Sequence, residues 1–133
     1  MLYLLLLLLL PTLQLAQLCP VQETPADALG PFFQENSPVG SVVAPASELT
    51  NPLELLQVSG RILSITDCEK GIANVTVEVW FAGANGYSQD EFRGQVVTDE
   101  CGRYSFVQTF PALYASRPIL HNHFRLSRNK EEL

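Results

Sequence analysis

His121 and His123 are the two histidines of the chain, and one residue separates them in the run Tyr114-Ala115-Ser116-Arg117-Pro118-Ile119-Leu120-His121-Asn122-His123-Phe124. Side chains at i and i+2 of a strand point to one face, so both imidazoles can reach a single point in space. Leu120, Phe124 and Leu126 then fall on the opposite face, where the pattern expects them to bury in a core. Imidazole is the commonest metal ligand among side chains, and phenols add oxygen donors. Paired imidazoles with phenols nearby point to a metal held by nitrogen and oxygen.

Two imidazoles leave a metal short of ligands, so further donors are sought among the tyrosines. Tyr3 lies in an apolar leader, which leaves Tyr87, Tyr104 and Tyr114. Tyr114 follows Pro111-Ala112-Leu113 and precedes His121 by seven residues, close enough to return to the same rim. Tyr87 occupies the loop Gly83-Ala84-Asn85-Gly86-Tyr87-Ser88 behind a strong strand pattern, and loops at strand ends commonly carry binding groups. Tyr104 alternates with Phe106 and reads as core. Taken singly, a His-x-His pair is more often ordinary surface or core, and a loop tyrosine more often packs than ligates. Together, two phenolates and two imidazoles form a hard, anionic set suited to Fe(III), whereas structural zinc prefers thiolates. A cupin reading lacks its acidic ligand, since the nearest following glutamate, Glu131, stands too far away.

Composition narrows the setting. The chain has 133 residues and a formal net charge of −6. No basic patch suits nucleic acid, and an anionic membrane is a poor partner. Leu2–Leu10 is an apolar run interrupted by Tyr3 and followed by Pro11, long enough for a signal-peptide core and too short to span a bilayer. Residues 1–17 therefore read as a signal peptide, with the remainder secreted. The secreted part has about 115 residues, one domain by size.

Of the three cysteines, Cys19, Cys68 and Cys101, no two have the spacing of a zinc or redox motif. Disulfides persist in exported proteins. Cys68 and Cys101 both fall in turns, and a bridge between them is expected if those turns share one end of a sheet. Asn74-Val75-Thr76 is a glycosylation sequon.

Residues 18–55 are rich in Pro, Ser and Ala and carry Pro20, Pro25, Pro31, Pro38 and Pro45, which argues for an extended arm wrapped on the domain. Phe32 and Phe33 are its expected anchors. From residue 56 to 133 the pattern is β, with Val75, Val77, Val79 and Phe81 alternating against Thr76, Glu78 and Trp80. A strand over residues 56–65 is expected to bulge at Gly60. Phe92–Thr98 and Tyr104–Phe110 flank the turn Asp99-Glu100-Cys101-Gly102 as a hairpin. Short strands separated by turns, without an amphipathic helix or an internal repeat, predict an all-β sandwich. About 75 residues is near the lower limit for a self-sufficient core, so a disulfide, a partner or a longer parent chain would each supply what the core lacks, the sandwich in the last case being incomplete at its C-terminus.

These segments, in their order, resemble the intradiol ring-cleavage dioxygenases. The resemblance spans about residues 19–128 and is carried by Thr24-Pro25-Ala26-Asp27-Ala28-Leu29-Gly30-Pro31-Phe32-Phe33, Val58-Ser59-Gly60-Arg61, Val77-Glu78-Val79-Trp80, Gly86-Tyr87-Ser88 and Phe92-Arg93-Gly94. Thr98 to Phe106 and Arg117-Pro118 through His121-Asn122-His123-Phe124 complete it. The resemblance implies an intradiol-dioxygenase-like β-sandwich and non-haem Fe(III) held by Tyr87, Tyr114, His121 and His123. It further implies a catechol-type substrate cleaved with O2 to a muconate-type diacid. Arg117 would steady negative charge on the bound ring, and Tyr114 would take up a proton on leaving the metal. The sequence departs from the family by an extra residue between Pro118 and His121, and by the absence of the long helical dimerisation segment of the catechol-cleaving branch. It looks more like the short, exported branch. A different class of function is a secreted binding module, the same sandwich with a degenerate, non-catalytic metal site.

Overall fold

A computed structural model describes residues 23–27, 30, 32–44, 55–68, 70–87, 90–113, 118–129 and 131–133. Among these residues there is no helix. Seven strands occur: β1 (Val42–Val43), β2 (Leu55–Arg61), β3 (Thr76–Phe81), β4 (Arg93–Val97), β5 (Arg103–Thr109), β6 (Asn122–Arg128) and β7 (Glu131–Glu132). One sheet has the order β1-β5-β2 and the other β4-β3-β6-β7. The all-β sandwich expected from the strand pattern is the fold.

The core lies between the sheets, where Val43, Val79, Phe81, Phe92 and Phe106 pack together with Val58, Val96 and Tyr104 against them. The alternation in β3 sends Val77, Val79 and Phe81 inward, as period two requires. The opposite face is also covered: Glu78 and Trp80 are buried. Its cover is the N-terminal arm. Phe33 packs on Trp80 with ring centroids 5.2 Å apart, and the Arg125 guanidinium lies 4.7 Å from the Phe33 ring centre. The arm then runs along the edge of β4, where Gln95 N donates to Pro38 O at 2.9 Å and Gly40 N to Gln95 O at 3.1 Å. It ends by adding β1, parallel to β5, to the second sheet. An arm rich in proline can satisfy an edge without contributing a long ladder.

Four local expectations are corrected. Phe92–Thr98 and Tyr104–Phe110 are not a hairpin: β4 pairs with β3 and β5 with β2. The turn between them crosses from sheet to sheet, held by Asp99, whose Oδ1 accepts from Cys101 N and Arg103 N, both at 2.8 Å. Gly60 makes no bulge. It pairs in register with Tyr104, and a Cβ there would meet the Tyr104 hydroxyl at 2.5 Å, so glycine makes room for the ring. Leu120 and Phe124 are exposed, at 52% and 44%; Leu120 precedes the strand, and Phe124 meets the core only at its margin, 6.2 Å from Phe106 between ring centroids.

The fourth correction concerns the disulfide. Cys68 is disulfide-bonded, whereas Cys101 is a free, exposed thiol, so these two do not pair. The turns do meet as expected, but through backbone: Ile62 N donates to Gly102 O at 2.8 Å and Ile72 N to Ile62 O at 2.9 Å. A Cβ on Gly71 would overlap the Cys101 carbonyl. The main chain of Cys101 faces the neighbouring loop and its side chain faces solvent. Cys19 lies outside the described residues.

Candidate metal centre

Strand pairing sets up the site. Trp80 stands opposite His123 and Phe81 opposite Asn122 in the β3–β6 ladder. Cross-strand partners share a face, so His123 joins Trp80 on the outer face while Asn122 joins Phe81 on the core face. The His123 ring stacks on Trp80 at 5.0 Å with 11° between planes. Trp80, 2% exposed, is thus the floor under the imidazole. On its other side His123 meets the arm: a Cβ on Gly30 would lie 2.5 Å from the ring, and Gly30 itself adopts φ 70. Only glycine fits both the backbone angle and the close approach.

Tyr87 reaches the same point from the loop behind β3. Gly83 and Gly86 exchange backbone hydrogen bonds at 2.8 and 2.9 Å, a tight bend with Gly86 at φ 90. The bend returns the chain over the strand end and places the Tyr87 phenol oxygen 3.1 Å from His123 Nε2. Phe32 stacks on the Tyr87 ring at 4.4 Å while holding φ 72, a conformation costly for a bulky residue. The arm therefore touches both donors.

His121 completes the described part of the set. Its ring centroid lies 4.9 Å from that of His123. Nδ1 donates to Ile119 O at 2.7 Å, and Nε2 is buried. A carbonyl can only accept, so this bond puts the proton on Nδ1 and leaves the Nε2 lone pair for a metal, the usual orienting contact of a metal-ligating histidine.

The geometry fits a cation. Two donors each about 2.1 Å from an ion, at right angles, stand about 3.0 Å apart, which is the Tyr87–His123 separation. The structure brings Tyr87, His121 and His123 together. Tyr114 and Arg117 lie outside the described residues. Their neighbours are near: Ala112 N donates to Ala82 O at 2.7 Å, at the base of the Tyr87 loop. Pro118 lines a cleft of about 320 Å³ with Asp27, Gly30, Ile119, His121, Asn122 and His123.

Tyr104 is not a donor here. It belongs to the other sheet, and burial pushes its phenol pKa up, which favours the protonated form. Trp80, Phe32 and the Asn122–Gln108 contact were not singled out as site residues by the sequence. The one signal was a tryptophan on the face of β3 that alternation assigned to polar residues.

The comparisons agree with this fold. No family model matches the chain. Catechol 1,2-dioxygenase 2 of Acinetobacter lwoffii is 33% identical over 103 residues, covering 71% of this chain and 37% of that protein. Among solved structures, an intradiol ring-cleavage dioxygenase from Tetranychus urticae matches with TM-score 0.65 and 24% identity over 76% of this chain and 56% of its own. The dioxygenase domain of a dioxygenase–carbohydrate-binding fusion from Streptomyces sp. SirexAA-E matches with TM-score 0.69 and 26% identity over 83% of this chain and 70% of its own. The chain is a relative of the intradiol ring-cleavage dioxygenases, a class of oxidoreductases, and shares their β-sandwich. It spans 37% of the length of the curated relative.

Proposed function

We propose that the chain carries the ferric site of a secreted intradiol dioxygenase that opens a catechol-type ring with O2 to a muconate-type diacid. The observation that carries this reading is the convergence of the Tyr87 phenol and the His121 and His123 imidazoles from two separate stretches. By family position, Tyr114 is the fourth ligand and Arg117 steadies charge on the ring. When bound, Fe(III) supplies Lewis acidity that lowers the pKa of the diol hydroxyls.

The chain's own residues do the rest. Trp80 and Gly30 clamp the His123 ring, and the Ile119 carbonyl turns Nε2 of His121 toward the site. The cleft beside them has the size of a small-ligand pocket. Ile119 and Pro118 offer apolar surface to a ring, and Asp27 places a carboxylate at the rim. Tyr114 would hold the proton released as the diol binds. Export is supported by the disulfide at Cys68, since such bonds persist in oxidising compartments.

The test is optical. Purified protein should be red-brown from tyrosinate-to-iron charge transfer, catechol should shift the band, and oxygen should be consumed with catechol. Coloured protein that consumes no oxygen would leave a metal-binding module in place of an enzyme. A colourless protein that takes up no Fe(III) would remove the metal as well.

A further inference from the structure

Asn122 sits between the two histidines yet points the other way, into the sandwich beside Phe81. That is a place for an apolar side chain. Its partner there is Gln108 of β5, in the facing sheet and 0% exposed. The two amides bond reciprocally: Gln108 Nε2 donates to Asn122 Oδ1 and Asn122 Nδ2 to Gln108 Oε1, each at 3.1 Å. Gln108 Nε2 also donates to the Thr109 carbonyl at 3.1 Å. A buried amide left without partners is unfavourable, and a satisfied pair is directional as apolar contact is not.

Direction matters at this position. Asn122 is the first residue of β6, and His121 precedes the strand, outside its ladder. β6 pairs with β3 and β7 in its own sheet, so ladder bonds do not set its height against the second sheet. The amide pair joins the two sheets at the end of β6 that presents both imidazoles. A slip there would move His121 and His123 together, away from Tyr87.

We propose that Gln108 and Asn122 are positioning residues for the two-histidine site: their reciprocal amide bond between the sheets fixes where the imidazoles stand relative to the Tyr87 phenol. The inference rests on the ferric-site reading above.

The test is a cycle on the full chain: Asn122→Leu, Gln108→Met, and both together. Two quantities are measured for each, thermal stability and apparent Fe(III) affinity by competition with a chelator, with the charge-transfer band as a third readout. Asn122→Leu leaves the buried Gln108 amide with the Thr109 carbonyl alone, and Gln108→Met leaves the half-buried Asn122 amide without its partner, so each single variant should lose stability; the double variant removes both amides and should regain it. Positioning predicts that iron affinity does not return with stability. It should stay about 10–100-fold below wild type in the double variant, the usual loss when a supporting shell is removed, with a displaced band. A double variant that recovers both stability and wild-type iron affinity makes the pair structural only and overturns the inference. If the double variant does not fold, Gln108→Met decides: wild-type affinity and an unmoved band in that variant overturn the inference equally. A wild-type chain that binds no Fe(III) overturns the ferric reading, and this inference falls with it.

Discussion

The Tyr87 phenol oxygen and His123 Nε2 lie 3.1 Å apart although 36 residues separate them in the chain. Neither is brought there by a direct link. Tyr87 arrives by the glycine bend behind β3, and His123 by the register of β6 against Trp80. Both are then touched by the arm, through Phe32 and Gly30. Three segments thus meet at one pair of atoms, and that meeting is the basis of most of what can be tested.

Replacing the phenol tests it most directly. Tyr87→Phe should remove part of the charge-transfer absorption of the iron-loaded protein, and Tyr104→Phe should leave the spectrum unchanged. The second phenol sits in the other sheet, and burial keeps it protonated. An unaltered spectrum in Tyr87→Phe would remove that residue from the ligand set.

The rim of the cleft predicts a preference among diols. Asp27 lies beside Gly30, Ile119 and the histidines, and its negative charge repels a carboxylated ring while leaving catechol indifferent. The ratio of kcat/KM for catechol over a carboxylated catechol should therefore fall severalfold in Asp27→Asn. Low salt should enlarge the effect, because an exposed charge is screened. An unchanged ratio would place the substrate ring elsewhere.

Glu78 should make stability depend on pH in a particular sense. Burial under the arm raises its carboxyl above the usual value of 4.5, opposed by Arg125 and reinforced by Glu35. The folded state then binds the proton more tightly than the unfolded state. This group's contribution is most favourable below the unfolded value and is lost as pH rises through the raised one. Thermal melts of wild type and Glu78→Gln across the window just above 4.5 should show the difference moving in favour of the variant as pH rises. A difference that is flat, or that moves the other way, would refute the sign.

Cysteine chemistry separates the two turns. Native protein should show a reactive thiol that is lost in Cys101→Ser, because Cys101 is free and exposed. Cys101→Ser should change stability by less than about 0.5 kcal/mol, as exposed substitutions do. Cys68→Ser should cost about 2–5 kcal/mol, the usual loss when a native disulfide is removed from a small secreted domain. Chemical denaturation of both variants checks the contrast.

Period two in β3 and the His-x-His spacing are local facts, legible without coordinates because a strand alternates its faces whatever surrounds it. The sandwich and the arm with its two phenylalanines were readable from such local signals, whereas His121 stands just before β6, so its approach to His123 is decided by the fold and not by strand alternation alone. Phe32 and Phe33 do anchor that arm, one on Tyr87 and one on Trp80.

The chain did not disclose relations between segments far apart. A turn such as Asp99–Gly102 has the same composition whether it joins neighbours in one sheet or crosses to another, so the hairpin reading failed. Cys101 could be placed in a turn, but the outward aim of its thiol depends on which backbone packs against Gly71. Burial of Glu78 and Trp80 depends on an arm laid over them, and the amides of Gln108 and Asn122 find each other only when two sheets are stacked. Local period is written in consecutive residues; the partner of a buried polar group is chosen by packing, and packing exists only once the sheets have closed.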